Sequence, residues 1–518
     1  MALGDIVFLK GQGGLGRPLE GEDYVSAMLF YTANGNLPTG FSTSNRIKKL
    51  FSSSDAESAG ILKDYSDATA ATYTSILTRG ATGDTINIKV TEIPTLVNGV
   101  STPTIVNLGT YTQTSTDTTL ALLGASIAAF INANTYTHGY TASFATATLT
   151  IVMPKKLGIY VNAATPLTFT VTGTITAAAG TLGVPGVASK LAIWRYHIDE
   201  FFRLQPQGVL FVGFYPVPTS YTYAEITTIQ NFADGKVRQI GIYLNGEAHA
   251  YTSGDLTAIQ TEIVANCDAN HKPLSAIYAA DLSGTADLTT LTDLNTLTAN
   301  KATAVVGQDG GALGAYLYKA TGKSITTLGA TLGAVAFSTV SDSIEWVSKF
   351  NISNGSECDT PAFANGDLVA TKSQSYLTAL DNLRYVFLLK YVGNSGTYHN
   401  NSHTAIISTS DYAYIENNRT IDKAIRGIYS SLLPALGSPL VLNADGTLTD
   451  ETVAYFTGLS EINLLQMIRD VELSAEKVSI DPTQDVLATN KVIVAVQLVP
   501  VGVARTIQVN IGFTPKIV

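Results

Sequence analysis

Four short runs between residues 208 and 306 are almost free of polar side chains: 208–213, 239–244, 274–279 and 302–306. A strand that shows one face to water alternates apolar and polar residues. A strand without alternation is buried on both faces, as in a sheet sandwiched between helices. Residues 223–233 and 256–270 lie between these runs and read as helices, the second with Ile259, Ile263 and Cys267 at i, i+4 and i+8. Strands alternating with helices predict an α/β layer with largely parallel pairing. This defines a middle α/β domain over 191–374.

The flanking regions differ in style. Residues 1–41 read as an N-terminal arm and strands joining the inner domain, with strand signals at 5–10 and 26–31 and a Gly-rich break at 11–16. Residues 42–77 read as a helical connector, with Ser44 as a cap and Ile47, Leu50 and Phe51 spaced for one face. In 78–190 charges nearly vanish and Thr, Ala, Val, Ile and Gly dominate. Strands are predicted there at 84–91, 106–111, 140–144, 147–152 and 167–172, with one helix at 119–132. This is a small β-rich domain inserted into a host fold. Residues 375–518 form a C-terminal unit. It has a strand at 383–392, helices at 415–433 and 450–473, and final strands at 491–500 and 505–513. At 518 residues the chain exceeds a single core. The fold class is therefore multidomain, mixing α+β and α/β parts.

Charged residues make up 14% of the chain, against ~25% in an average soluble domain. Such a surface is poorly suited to a dispersed monomer and suits one covered by other subunits. The net charge of −10 gives nucleic acid no basic footprint; Arg46, Lys48 and Lys49 form the densest basic cluster and read as a helix end. Two cysteines, Cys267 and Cys358, and six histidines supply neither a zinc site nor a disulfide scaffold. The N-terminus lacks the pattern of a signal peptide, and no window is apolar for the ~18–20 residues of a membrane span. The expectation is a chain made in a cytoplasm, with no membrane insertion.

Several motifs tempt and fail. Gly11, Gly13 and Gly16 match a dinucleotide fingerprint by letter, but Arg17-Pro18-Leu19 follows where a helix must open. Thr321-Gly322-Lys323-Ser324 lacks the upstream glycine of a phosphate-binding loop, because Leu317 stands there. His399 and His403 share a metal-like spacing in a loop without a carboxylate between them. Residues 443–450 carry oxygen ligands out of register for calcium and read as a turn and helix cap. No catalytic residue, metal or cofactor is expected, and the chain is not read as an enzyme.

The C-terminal unit resembles contractile phage tail sheath proteins. The likeness rests on an Asn-Arg-x-Ile-Asp-Lys-Ala helix at 418–424, a second helix, Gln484-Asp485-Val486-Leu487, and Val496-Gln497-Leu498-Val499-Pro500-Val501-Gly502 before a last strand. Gly11 to Pro18 adds a likeness to a divergent branch found in phages and prophages of Bacteroidetes-type hosts. The resemblance implies a C-terminal inner sheath domain and a middle domain and insert lying further out. It implies hexameric rings of the chain itself, stacked helically around a tail tube protein and bounded by baseplate and tail terminator proteins. The location implied is a virion tail, assembled in the host bacterial cytoplasm. Subunits would link by strand exchange through Asp5, Ile6, Val7, Phe8, Leu9 and Lys10 at one end. At the other end the exchange strand would be Thr506, Ile507, Gln508, Val509, Asn510, Ile511, Gly512 and Phe513. Arg419, Lys423 and Arg426 share one side of a helix and are the candidate tube-facing cations. A tailocin or other injection-system sheath fits the same residues. A different class of reading makes the β-rich insert a glycan-binding module through Tyr136, Tyr140 and Tyr160.

Overall fold

A computed structural model of the chain describes residues 23–97, 100–162, 166–244 and 249–513. The strand expected at 5–10 and the Gly-rich break at 11–16 lie outside the described residues. The chain divides into two compact units. The body unit is Tyr24–Asn418; the terminal unit is Met1–Asp23 with Arg419–Val518.

The body unit opens with β1 (Val25–Tyr31), β2 (Ile47–Leu50) and α1 (Ser53–Ser58). An inserted module follows: β3 (Thr72–Thr78), β4 (Thr85–Val97), β5 (Val100–Thr112), α2 (Leu120–Ala133), α3 (Thr135–His138), β6 (Thr141–Ala145), β7 (Thr148–Val152), β8 (Leu167–Thr172), β9 (Thr176–Ala177) and β10 (Thr181–Val184). The host fold resumes with α4 (Lys190–Leu204), β11 (Val209–Tyr215), α5 (Glu225–Phe232), β12 (Gln239–Tyr243), α6 (Ser253–Glu262) and β13 (Ser275–Ala279). Then come β14 (Thr298–Ala299), β15 (Ala302–Ala304), β16 (Gly307–Asp309), α7 (Leu313–Thr321), α8 (Leu328–Phe337), β17 (Pro361–Phe363), α9 (Gln374–Asn382), β18 (Leu388–Leu389), β19 (Tyr398–His399) and β20 (Ala405–Ile406).

The centre of this unit is a six-stranded sheet in the order β15-β13-β12-β1-β11-β2, parallel except for β2. Side chains alternate across β1. Met28 and Phe30 pack with Trp194 and Phe201 of α4 and Leu328 and Leu332 of α8. Ala27 and Leu29 pack on the other face with Ile226 and Ile229 of α5 and Leu256 and Ile259 of α6. Helix α8 can approach α4 because Gly329 and Gly333 face it. A Cβ on Gly329 would stand 2.2 Å from the His197 carbonyl oxygen.

In the inserted module, β4 pairs with β5 and β8, and β3 pairs with β7, β9 and β10. The two sheets and α2 share a core that includes Tyr73, Ile86, Ile88, Ile127, Ile131 and Ile151. A bridge between Thr69 and Val187 closes its base, so the module starts before residue 78 and takes in β3.

Several elements differ from expectation. The strand expected at 26–31 belongs to the body unit rather than joining the C-terminal unit. All seven residues of β1 are buried, and the strand pairs in parallel with β11 and β12 in the middle of the body sheet. The 42–77 connector holds one six-residue helix, α1, between two strands. Ile47 and Leu50 bury as part of an edge strand against β11 rather than as a helix face. The last domain was expected from 375, yet Leu380, Tyr385, Phe387 and Ala405 belong to the same core as β1 and β12. The division therefore falls at 418/419. Of 383–392 only Leu388–Leu389 is strand; Arg384 is buried there and donates to the carbonyl oxygens of Thr404 and Ala413. The helix expected over 256–270 passes from α6 into a π-helical turn at Ile263–Cys267.

Candidate assembly surface

The terminal unit is built on two helices. Helix α10 (Ile415–Leu432) begins in the body unit and ends in the terminal unit, and α11 (Asp450–Arg469) follows. The chain then forms β21 (Leu473–Ser479), α12 (Val486–Thr489) and β22 (Ala495–Pro500). Thr449 caps α11 by accepting the Thr452 amide, the N-cap role that its hydroxyl favours. The helices meet at Gly427, where a Cβ would stand 2.7 Å from the Cβ of Asn463. Asn463 Nδ2 donates to the Gly427 carbonyl at 2.7 Å. Ala424, Leu464, Met467 and Leu473 form one small core; Leu448, Ile480 and Val486 form another.

Much of the remaining apolar surface is exposed. Ile425, Tyr429 and Leu433 stand at i, i+4 and i+8 along the outside of α10 and its continuation, and Tyr455, Ile462 and Leu465 lie along α11. Strands β21 and β22 pair only with each other among the described residues, which leaves each with an open outer edge. Beyond β22, residues 501–513 enter no helix, strand or turn. There Ile507, Val509, Ile511 and Phe513 are 79%, 73%, 94% and 110% exposed. The strand expected at 505–513 thus keeps its alternating sequence and lacks a ladder partner within the described chain.

Arg419, Lys423 and Arg426 do lie on one side of α10, and that side meets carboxylates. Lys423 Nζ lies 2.8 Å from Asp23 Oδ2 and 2.7 Å from Glu472 Oε1. Arg426 Nη2 lies 3.1 Å from Asp23 Oδ1, and Arg419 Nη2 donates to the Asp23 carbonyl oxygen at 3.4 Å. Burial pushes the Asp23 carboxyl up, but Lys423, Arg419 and Arg426 outweigh it and hold the group below the ordinary carboxylate range. Lys423 is pushed up: burial acts against its charge, and Asp23 and Glu472 outweigh that. Burial pushes Glu472 up despite Lys423. The spacing of the three cations was legible in the sequence; their partner Asp23, 396 to 403 positions away, carried no signal.

Residues 3–403 match the family model DUF2586, N-terminal domain, and residues 411–517 match DUF2586, C-terminal domain. The chain belongs to the DUF2586 family. The seam between the two DUF2586 models falls close to the 418/419 division of the units. No curated protein matches the sequence. Among solved structures, this DUF2586 chain is similar to the helical sheath of the anti-feeding prophage in contracted state. That likeness has 14% identity and a TM-score of 0.43, over 62% of this chain and 81% of that one. The contracted sheath complex of the extracellular contractile injection system PVC gives 16% identity and 0.41, over 62% and 80%. The sheath tail protein Lin1278 from Listeria innocua gives 8% identity and 0.37, over 92% and 95%.

The other sequence candidates in the DUF2586 chain have local roles. His399 is buried against Thr331 and pushed down to about 4 by burial. His403 Nε2 lies 3.0 Å from Asp381 Oδ1. Gly322 closes α7 with a left-handed φ of 65°, and Lys323 pairs with Asp281 at 2.7 Å. Cys267 and Cys358 are buried thiols. Tyr140 is buried and donates to Glu92, leaving Tyr136 as the strongly exposed tyrosine of the three suggested for a glycan. Among the described residues no group of three or more His, Cys, Asp or Glu is placed to hold a metal, and no helix is long and apolar enough to cross a membrane.

Sequence reasoning missed one cleft of about 560 Å³, lined by Pro218, Tyr221, His249, Asp255 and Ala258 among others. It lies beyond the carboxyl ends of the parallel strands, beside β1, where the strand order turns and open α/β sheets place ligands. Asp255 is engaged inside the fold: His249 Nε2 lies 2.8 Å from its Oδ2, and the Tyr278 hydroxyl donates to the same oxygen. These bonds fasten the start of α6 to β13.

Proposed function

We propose that this chain is the subunit of a contractile tail sheath, which assembles as stacked six-membered rings around a tube and drives the tube outward by contracting. The observation that carries the reading is the terminal unit's surface. It combines an extended apolar segment at 501–513, two open strand edges on β21 and β22, and apolar stripes on α10 and α11. An open edge offers a row of unsatisfied N–H and C=O groups, and an added strand satisfies them. Residues 506–513 from one copy are suited to add to the hairpin of the next. Residues 5–10 are the matching segment at the other end. The resemblance of 415–513 to sheath C-terminal domains supplies the class of machine, with tube, baseplate and terminator proteins as partners.

The work of such a machine needs no catalytic group. An extended lattice that moves to a more closely packed one gains ~25 cal/mol per Å² of apolar area newly buried. Exposed Ile, Leu and Tyr on α10, its continuation and α11 provide that area.

Electron microscopy of the purified full-length chain tests the reading, beside versions lacking 1–16 or 506–518. Hollow tubes or stacked six-fold rings are expected from the full-length chain and are lost in both truncations. Monodisperse particles from the chain, alone and co-expressed with a tail tube protein, would overturn it.

A further inference from the structure

The geometry around Lys423 points to a role that the proposed assembly would need and that its exposed segments alone do not provide. We propose that Lys423 is a positioning residue that ties the lead-in to β1 and the lead-in to β21 to the same point on α10. This rests on the strand-exchange reading only for its consequence; the tie itself lies within one chain.

One ammonium spans two carboxylates, at 2.8 Å to Asp23 and 2.7 Å to Glu472. Asp23 is the first described residue, just before β1, and Glu472 directly precedes β21. The pairs are sheltered: the side chains of Lys423, Asp23 and Glu472 are 22%, 19% and 6% accessible. Exposed pairs of this kind contribute little, whereas removing one member of a buried pair strands the other charge. Glu472 would be stranded in this way, because its second oxygen, Oε2, is buried and accepts no hydrogen bond among the described residues. Arg426 and Arg419 add a second and third hold on Asp23 from the same face of α10, at i+7 and i relative to Lys423 at i+4. Three cations thus converge on one residue at the foot of the N-terminal segment, and the middle one also reaches the foot of the C-terminal hairpin.

The test compares Lys423→Met, Lys423→Arg and the double variant Lys423→Met/Glu472→Gln in the full-length chain. Hydrogen exchange is read at β21–β22 and at β12, with the concentration needed for assembly measured separately. Lys423→Met is expected to speed exchange in the hairpin by about tenfold, since local opening follows local stability, and to leave β12 unchanged. Lys423→Arg restores the wild-type pattern. The double variant recovers hairpin protection, because no buried charge is stranded, but still assembles only at a higher concentration, because Asp23 and the hairpin are no longer joined. Wild-type exchange in Lys423→Met would overturn the proposal. So would unchanged exchange with lost binding to the tube protein, which would return the cation to a tube-facing role. If the wild-type chain never assembles, the sheath reading falls, while the exchange data still decide the tie.

Discussion

At the scale of single residues, the chain's buried charges set its response to pH. Glu357 lies in the segment between α8 and β17; burial, with Asp309 and Glu200 nearby, pushes its carboxyl up to about 7. Its Oε2 is buried and accepts no hydrogen bond among the described residues. Asp309, itself pushed up by burial, accepts the amides of Gly311, Ala312, Ala315 and Cys358, and Glu200 is held by Arg203. A folded-state value above the unfolded one means that Glu357 favours folding while protonated. That contribution is intact below the ordinary carboxyl range and is lost as pH rises from about 4.5 through about 7. Glu357→Gln is therefore expected to flatten the fall in melting temperature between pH 5 and pH 8 and to raise it at pH 8. Thermal melts across that range check this. None of it was legible in the sequence, because the environment of Glu357 is made by α4 and β16, far away along the chain.

At the scale of elements, two glycines make opposite predictions. Gly329 faces α4, and a methyl group there would meet the His197 backbone. Gly329→Ala is expected to cost about 1–3 kcal/mol through overpacking. Gly458 lies in α11, and a Cβ added there would meet nothing within 4 Å, so Gly458→Ala is expected to stabilise that helix by about 0.5–1 kcal/mol. Urea unfolding of both variants measures the pair. The sequence showed most elements that owe their form to burial on both faces. The runs at 208–213, 239–244 and 274–279 became β11, β12 and β13, each within a sheet covered by helices on both faces. It misled where a local pattern had two solutions. Ile47, Leu50 and Phe51 suit a helix face, but pairing with β11 made the first two part of a strand. The alternation at 505–513 is a strand's pattern without the neighbour that makes it one. The apolar alternation of 505–513 was readable, but the Asp23–Lys423–Glu472 ion pairs were not, because charge spacing says nothing of distant partners.

At the scale of the molecule, the proposed assembly draws on the chain's low charge content and the exposed apolar surface of the terminal unit. Copies that bind one another folded and not unfolded raise the apparent stability by mass action. The melting temperature of the full-length chain should climb with protein concentration, and that of a chain lacking 506–518 should not; scanning calorimetry at several concentrations distinguishes them. The division of the chain has a consequence in time as well. The body unit, Tyr24–Asn418, is inserted between the two parts of the terminal unit. A ribosome adding ~5–20 residues per second makes Asp23 and then spends roughly 20–80 s on the body before Lys423 and Glu472 emerge. The hairpin edges come later still. The ion pairs of Lys423 with Asp23 and Glu472 therefore close only after the whole body unit has been translated.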